Sequence, residues 1–390
     1  MVFVRHALPG ERVRALVTED GGGSYCRADA IEILDASADR VAAPCQYAGP
    51  GRCGGCDWQH VTPHAQRSIK RDVVLEQFRR IAGMDVSALL GEVEELPGGS
   101  LGWRTRITYA ADGEGRLGLR RHRSHEVELV DECIIGARGV GDAEELEQTW
   151  PGLTGLEIVQ SSSAGDGATT VIGHRPGAPR KGRGRRAPDQ LQVLAGSPVI
   201  RHDVGGRLVE SEAAGFWQVH PHALATFTQA LLDGLDPQPG ESILELYSGA
   251  GALTVSLAAA VGVTGSVHSF ESDREAVAAA ERNLAPFPWA SVERGSVTAQ
   301  LIASAPGGFD LAVLDPPRNG AGAAAMQAIV AAGPRAIGYL ACDPASLARD
   351  VSAALTIDES SGWRLASLRA FDAFPMTHHV ECAAVLVRDV

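Results

Sequence analysis

Four short apolar runs in the second half of this 390-residue chain constrain its fold more than any other feature. They span Ser242 to Leu246, Val267 to Phe270, Leu311 to Leu314 and Ala336 to Ala341, each the length of a buried strand and each followed by turn and helix signals. Buried strands alternating with helices predict an α/β fold, a doubly wound Rossmann-like sheet whose ligands bind beyond the carboxyl ends of the strands. Chemistry-bearing residues stand at those ends: Glu245 and Tyr247, then Glu271, Asp315 and Cys342. Tyr247-Ser-Gly-Ala-Gly251 is a glycine turn that lets a ligand approach the backbone, but it lacks the third glycine of the dinucleotide fingerprint. One acid at such a place is usually a helix cap. Three facing one crevice favour an adenosyl ligand, with Glu271 placed for ribose hydroxyls. Taken alone, Cys342 reads as a packing cysteine, yet Pro344 suits the first turn of a helix whose dipole would favour its thiolate.

The length calls for two or three domains. We divide the chain into residues 1–42, 43–205 and 206–390. Val2 to Arg5, Glu11 to Thr18 and Ala28 to Ala36 look like strands of a small β-barrel entered part-way, with the first strand or two absent. Thr62 to Ile81 reads as a helix with Ile69, Val73, Val74, Phe78 and Ile81 near one stripe and basic residues elsewhere. Trp103 to Tyr109 and Gly118 to His125 form a hairpin around Asp112 to Gly115, and the region to about Gly205 is mainly β. No run of about 18 apolar residues is present and no signal-peptide core opens the chain. The expectation is a cytoplasmic monomer without membrane contact.

Seven cysteines in such a chain point to a reducing compartment and to a metal site rather than disulfides. Cys53-Gly-Gly-Cys56 brackets a ligand tightly, Cys45 lies eight positions upstream, and Cys133 is the available fourth thiol. Four thiolates suit either zinc or an iron-sulfur cluster, and spacing leaves both open. The formal charge of −13 argues against a broad nucleic-acid footprint. Local patches can override it: Arg104, Arg106, Arg116, Arg120, Arg121 and Arg123 fall close together, and Arg175 to Arg186 contains no acid. A solvated loop is the plainer reading of that second run, although arginine-rich segments also order on RNA.

Several motifs in one order then carry a resemblance. Cys45 with Cys53-Gly-Gly-Cys56, Phe216-Trp-Gln-Val219, Glu245 to Gly251, Asp315-Pro-Pro-Arg-Asn-Gly320, Cys342-Asp-Pro-Ala-Ser-Leu347 and Phe374 to Glu381 together resemble the RNA 5-methyluridine methyltransferases over nearly the whole chain. The chain looks closest to their iron-sulfur branch acting on 23S rRNA, since the bacterial tRNA branch lacks the cysteines. The N-terminal strands resemble the tail of a TRAM domain, an OB-like RNA-binding barrel. The resemblance implies S-adenosylmethionine as methyl donor and a 4Fe-4S cluster on Cys45, Cys53, Cys56 and Cys133. It also implies donor contacts from Gln218, Tyr247, Glu271 and Asp315, Cys342 as nucleophile and Glu381 as base. Departures are Ala252 for a common Asn, Asp343 for the usual Asn after the nucleophile, and Met376 and His378 in the stretch before Glu381. An added carboxylate at Asp343 is expected to disfavour the neighbouring thiolate.

The rivals are distinguishable. An amino-group methyltransferase wants an aromatic after Asp-Pro-Pro, where this chain has Arg318. A cytosine carbon-5 enzyme needs an acid that protonates the ring nitrogen, and Glu381 near the C-terminus fits the uracil enzymes better. A tRNA substrate, or a non-catalytic rRNA-binding iron-sulfur scaffold, completes the set.

Overall fold

Strands buried on both faces need a hydrogen-bonded neighbour on each side, and the four apolar runs satisfy this by lying parallel in a single sheet. The structure is a computed structural model that describes residues 1–162, 168–178, 187–305, 308–356 and 362–388. It begins with strands β1 (Val2–Arg5), β2 (Arg12–Asp20) and β3 (Cys26–Asp35), helix α1 (Pro63–Gln77) and a two-residue strand β4 (Glu94–Glu95). The central strands are β5 (Arg106–Ala111), β6 (Leu117–Arg120), β7 (Val127–Leu129), β8 (Gly155–Gln160), β9 (Thr169–Arg175) and β10 (Gln190–Ala195). A hairpin of β11 (Val199–Val204) and β12 (Arg207–Glu212) follows.

The final part alternates α2 (Ala223–Leu235), β13 (Ser242–Leu246), α3 (Ala252–Val261), β14 (Ser266–Glu271), α4 (Arg274–Leu284) and β15 (Ala290–Arg294). It continues with α5 (Ala299–Ser304), β16 (Leu311–Leu314), α6 (Ala323–Ala332), β17 (Ala336–Ala341), α7 (Pro344–Leu355), β18 (Trp363–Asp372) and β19 (Glu381–Arg388). The sheet order is β15-β14-β13-β16-β17-β19-β18-β4. Strand order reverses between β13 and β16, which opens the crevice expected of a doubly wound sheet. β19 runs antiparallel to both β17 and β18.

The N-terminal strands form an open three-stranded sheet, order β1-β3-β2. Among the described residues no closed barrel is formed, and Leu16 and Val17 on the edge strand β2 are exposed. The central strands make an antiparallel sheet, order β10-β9-β8-β5-β6-β7, so the mainly β reading holds. Asp112 closes the β5–β6 hairpin by accepting from the Glu114 and Arg116 backbone N–H groups, both at 2.9 Å. Of the basic run from Arg175, residues 179–186 lie outside the described residues. Among the described residues, no helix is long and apolar enough to cross a membrane.

Helix α1 differs from its sequence reading. Its buried face is Ala65, Gln66, Lys70 and Val74, continued by Phe78, whereas Val73 and Ile81 are exposed. Val74, Phe78, Val86, Leu90 and Val93 share one core with β16, β17, β19 and α7. Two polar side chains thus occupy the buried stripe because both find partners in the C-terminal unit.

Candidate active site and cysteine site

Cys342 follows β17 directly, at the carboxyl edge of the sheet. The antiparallel register sets Ala341 opposite Cys382, so the neighbouring residues Cys342 and Glu381 come to one edge. Asp315 ends the adjacent strand β16, and Arg318 lies in the loop beyond it. These four groups act on one another electrostatically. Burial pushes the Cys342 thiol up to about 11, with Glu381 and Asp315 adding to the rise and Arg318 opposing it. Burial also raises Glu381 well above the carboxylate range, again with Asp315 adding and Arg318 opposing. Asp315, buried, is raised to about 6. The Arg318 guanidinium further lies 3.4 Å from His379 Nε2, two residues before Glu381.

Burial, with the Glu381 carboxylate adding to it, acts on the thiol in the sense opposite to the dipole of the helix that follows. Asp343 has a structural role of its own. Its carboxylate turns back to cap α7, accepting from Ser346 N at 2.7 Å. Since Asn caps a helix as well as Asp does, Asp343→Asn is expected to change Cys342 alkylation by less than about threefold. Alkylation itself should rise about tenfold per pH unit between about 7 and 10, because only the thiolate reacts. Stopped-time iodoacetamide labelling of Cys342 measures both.

At the other side of the crevice, the penultimate residue of β13 is Glu245, buried, whose carboxyl burial raises to about 8. Tyr247 has φ of 64°, an uncommon conformation for a residue with a side chain, and Gly249 and Gly251 are left-handed too. A Cβ on Gly251 would stand 3.0 Å from Ala280 Cβ, so the glycine permits α3 to sit close to α4. Glu271 reaches the same turn: Oε2 accepts from Gly249 N at 3.0 Å, and Oε1 from Ser272 N and Asp273 N. Trp217 packs among Ala250, Ala252 and Val209 and stacks on His202 at 3.7 Å, which sets the next residue, Gln218, half-buried at this edge. Glu271 is thus bonded to the glycine turn that Tyr247 opens, Asp315 N donates to Leu246 O at 3.4 Å just before that turn, and Gln218 follows the tryptophan packed on Ala250 and Ala252.

Cys45, Cys53, Cys56 and Cys133 line a single pocket, whose wall includes Leu119, Val130, Ile134 and Ile135 together with the polar Tyr47, Gln59 and Glu132. All four are free thiols. Among the described residues, no three His, Cys, Asp or Glu side chains are close enough to hold a metal ion. Burial raises Cys56 to about 12 and Cys133 to about 11, so any metal held there must displace thiol protons. The cysteine loop is strapped to the arginine hairpin: Gly54 N donates to Arg120 O at 3.0 Å, and a Cβ on Gly54 would stand 2.6 Å from His122 N. Beside that contact opens a recess lined by Arg120, Arg121, His122 and Arg123. Several of the arginines are engaged within the protein, Arg106 with Glu157 at 2.8 Å and Arg121 with Glu126 and Glu128.

Comparison with known proteins gives this geometry a family. Residues 222–338 match the "Methyltransferase small domain" family, and residues 306–389, which carry Asp315, Cys342 and Glu381, match the "tRNA (Uracil-5-)-methyltransferase" family. An uncharacterized RNA methyltransferase of Streptomyces avermitilis is 45% identical over 405 residues, covering 99% of this chain and 92% of the relative. A 23S rRNA (uracil(1939)-C(5))-methyltransferase RlmD of Alkalilimnicola ehrlichii is 30% identical over 421 residues, covering 100% of this chain and 92% of the relative. The chain belongs to the RNA uracil-5-methyltransferase family. As an RNA uracil-5-methyltransferase, it has the class I, S-adenosylmethionine-dependent fold. The crystal structure of the Pyrococcus abyssi tRNA (uracil-54, C5)-methyltransferase with S-adenosyl-L-homocysteine superposes with a TM-score of 0.72, at 21% identity over 99% of this chain and 95% of that one. The sequence did not single out the Arg318–His379 contact at this edge, or the buried partners of Gln66 and Lys70. For Arg318 the signal was its place directly after Asp-Pro-Pro.

Proposed function

We propose that this protein methylates carbon 5 of a uridine in 23S rRNA through a covalent Cys342 adduct. The observation that carries the chemistry is the meeting of Cys342, Glu381, Asp315 and Arg318 at one strand edge beside the glycine-floored crevice. Identity to the 23S rRNA enzyme over its length favours rRNA, with tRNA the alternative substrate. Carbon 5 of uracil is a weak nucleophile. The Cys342 thiolate adds to carbon 6, and the displaced π electrons move onto the carbon 4 oxygen as an enolate. Carbon 5 then takes the methyl group of S-adenosylmethionine, held by Gln218, Tyr247, Glu271 and Asp315, and S-adenosylhomocysteine leaves. Glu381 removes the carbon 5 proton, the double bond re-forms and the thiolate is expelled.

Raised proton affinity on both Cys342 and Glu381 has a sign. Both must lose a proton to act, so turnover should climb with pH above neutrality. Stacked uridine must also be extruded to reach the sulfur. The N-terminal sheet, as part of a TRAM-like module, and the arginine recess would hold the flanking RNA.

We assign a 4Fe-4S cluster to the cysteine pocket on the resemblance to the iron-sulfur branch of the family; four thiols suit zinc as well, and metal analysis decides between the two. When bound, the cluster would cross-link the cysteine loop to the arginine-bearing hairpin, and no step of methyl transfer uses it. Cys133→Ser should lower iron and sulfide content and weaken RNA binding while S-adenosylmethionine affinity stays within about twofold, since the two sites share no residue. Iron, sulfide and zinc analysis with filter binding checks this. The substrate assignment is tested by mapping 5-methyluridine in rRNA and tRNA from cells with and without the gene. Loss from 23S rRNA alone is expected, and loss from tRNA alone would reverse the assignment.

A further inference from the structure

We infer that Gln66 and Lys70 of α1 are positioning residues for Glu381, holding the connection between β18 and β19 so that they govern release of the methylated base rather than methyl transfer. The inference rests on the roles proposed for Cys342 and Glu381. Residues 373–380 join the last residue of β18, Asp372, to the first of β19, Glu381. Gln66 and Lys70, four apart on one helix face, are both fully buried and both grip this connection. Lys70 Nζ lies 2.5 Å from Asp372 Oδ1 and donates to Phe374 O at 3.0 Å. Gln66 Oε1 accepts from Met376 N at 2.8 Å, while its Nε2 donates to Val61 O at 2.9 Å and Trp58 O at 3.1 Å. Met376 itself is held at φ of 67°, a strained conformation that persists only where its surroundings impose it.

A buried charge pair contributes little net stability compared with apolar packing, so its presence needs another reason. Geometry supplies one. Beyond the gripped residues, His379 reaches Arg318, and Glu381 stands beside Cys342. On the opposite side, Asp57 and Trp58, directly after Cys56, both donate backbone N–H bonds of 3.0 Å to Met376 O, and Asp57 Oδ2 lies 2.6 Å from His378 Nδ1. Trp103 and Ile135 pack on Met376 with Cys56 and Cys133 at the margin. The base is therefore aimed from α1 and the cysteine loop, not from the sheet alone.

Slackening this grip leaves Cys342 and the crevice intact but misplaces the acid. Two variants test it: Gln66→Ala, and Lys70→Met with Asp372→Leu, which removes both charges together and keeps the site apolar. Turnover on uridine RNA is expected to fall about 10–100-fold, the loss that small misplacement of a reacting group produces. A methylated protein–RNA adduct should accumulate, as in Glu381→Gln. Trapping by 5-fluorouridine RNA needs no proton removal, so its rate, and S-adenosylmethionine affinity, should stay within about twofold of wild type. Unchanged turnover overturns the inference, as does a parallel fall in fluorouridine trapping, which marks general damage. If Glu381→Gln itself accumulates no adduct, the base assignment fails and the inference with it. If that enzyme accumulates adduct and the two variants do not, only the positioning role is lost.

Discussion

Cys342→Ala should abolish methylation, lowering turnover by at least about 10⁴-fold, because the proposed chemistry needs its thiolate to open the uracil double bond. Cys342 and the glycine turn follow two different strands, β17 and β13, with β16 between them, so binding of the methyl donor should survive. Among the seven cysteines only Cys342 and Cys382 belong to this sheet edge, and Cys382 is fully buried with its thiol pushed up by burial and by Glu381. It cannot substitute. Methyl incorporation from labelled donor, with donor affinity measured alongside, separates loss of chemistry from loss of fold. A variant with substantial residual methylation would remove covalent catalysis from the account.

Glu381→Gln has a second, distinct signature. Removing the base should cut turnover by about 10²–10⁴-fold while leaving the earlier steps in place, so enzyme becomes stranded on RNA as a methylated adduct. The same substitution deletes the acid that, after burial, most raises the Cys342 thiol. Alkylation of Cys342 should therefore begin at lower pH in Glu381→Gln than in wild type. The direction follows because a nearby negative charge disfavours the thiolate and its removal relieves that. Turnover lost with neither adduct nor a shifted alkylation profile would mean that Glu381 is only a packing residue.

Much of the C-terminal sheet is visible in the chain itself, since Ser242 to Leu246, Leu311 to Leu314 and Ala336 to Ala341 are apolar runs whose burial leaves little choice but parallel pairing. The places of the candidate site residues are legible too: Glu271 ends β14, and Asp315 and Cys342 directly follow β16 and β17, at the edge where such sheets bind ligands. The cysteine pocket shows in the glycine-bracketed spacing of Cys53 and Cys56. What stays hidden depends on distant partners. Lys70 reads as a solvated cation on an amphipathic helix, and nothing local betrays Asp372, 302 positions away. Gln66 is hidden in the same way by Met376, 310 positions away. β4, two glutamates without strand propensity, joins the sheet edge through Arg369, whose guanidinium binds Glu94 with two bonds of 2.8 Å. Asp343 shows a second role that adjacency to the cysteine hides: its carboxylate caps α7 through Ser346 N.

The central claim is a bond from one sulfur to carbon 6 of a uracil. Incubating the protein with 5-fluorouridine-substituted 23S rRNA fragment and S-adenosylmethionine, followed by digestion and mass spectrometry, tests it directly. A single nucleotide-bearing peptide is expected, modified at Cys342 and heavier by one methyl group than the fluorouridine adduct alone. An adduct at any other residue, or none while ordinary uridine RNA is still methylated, contradicts it.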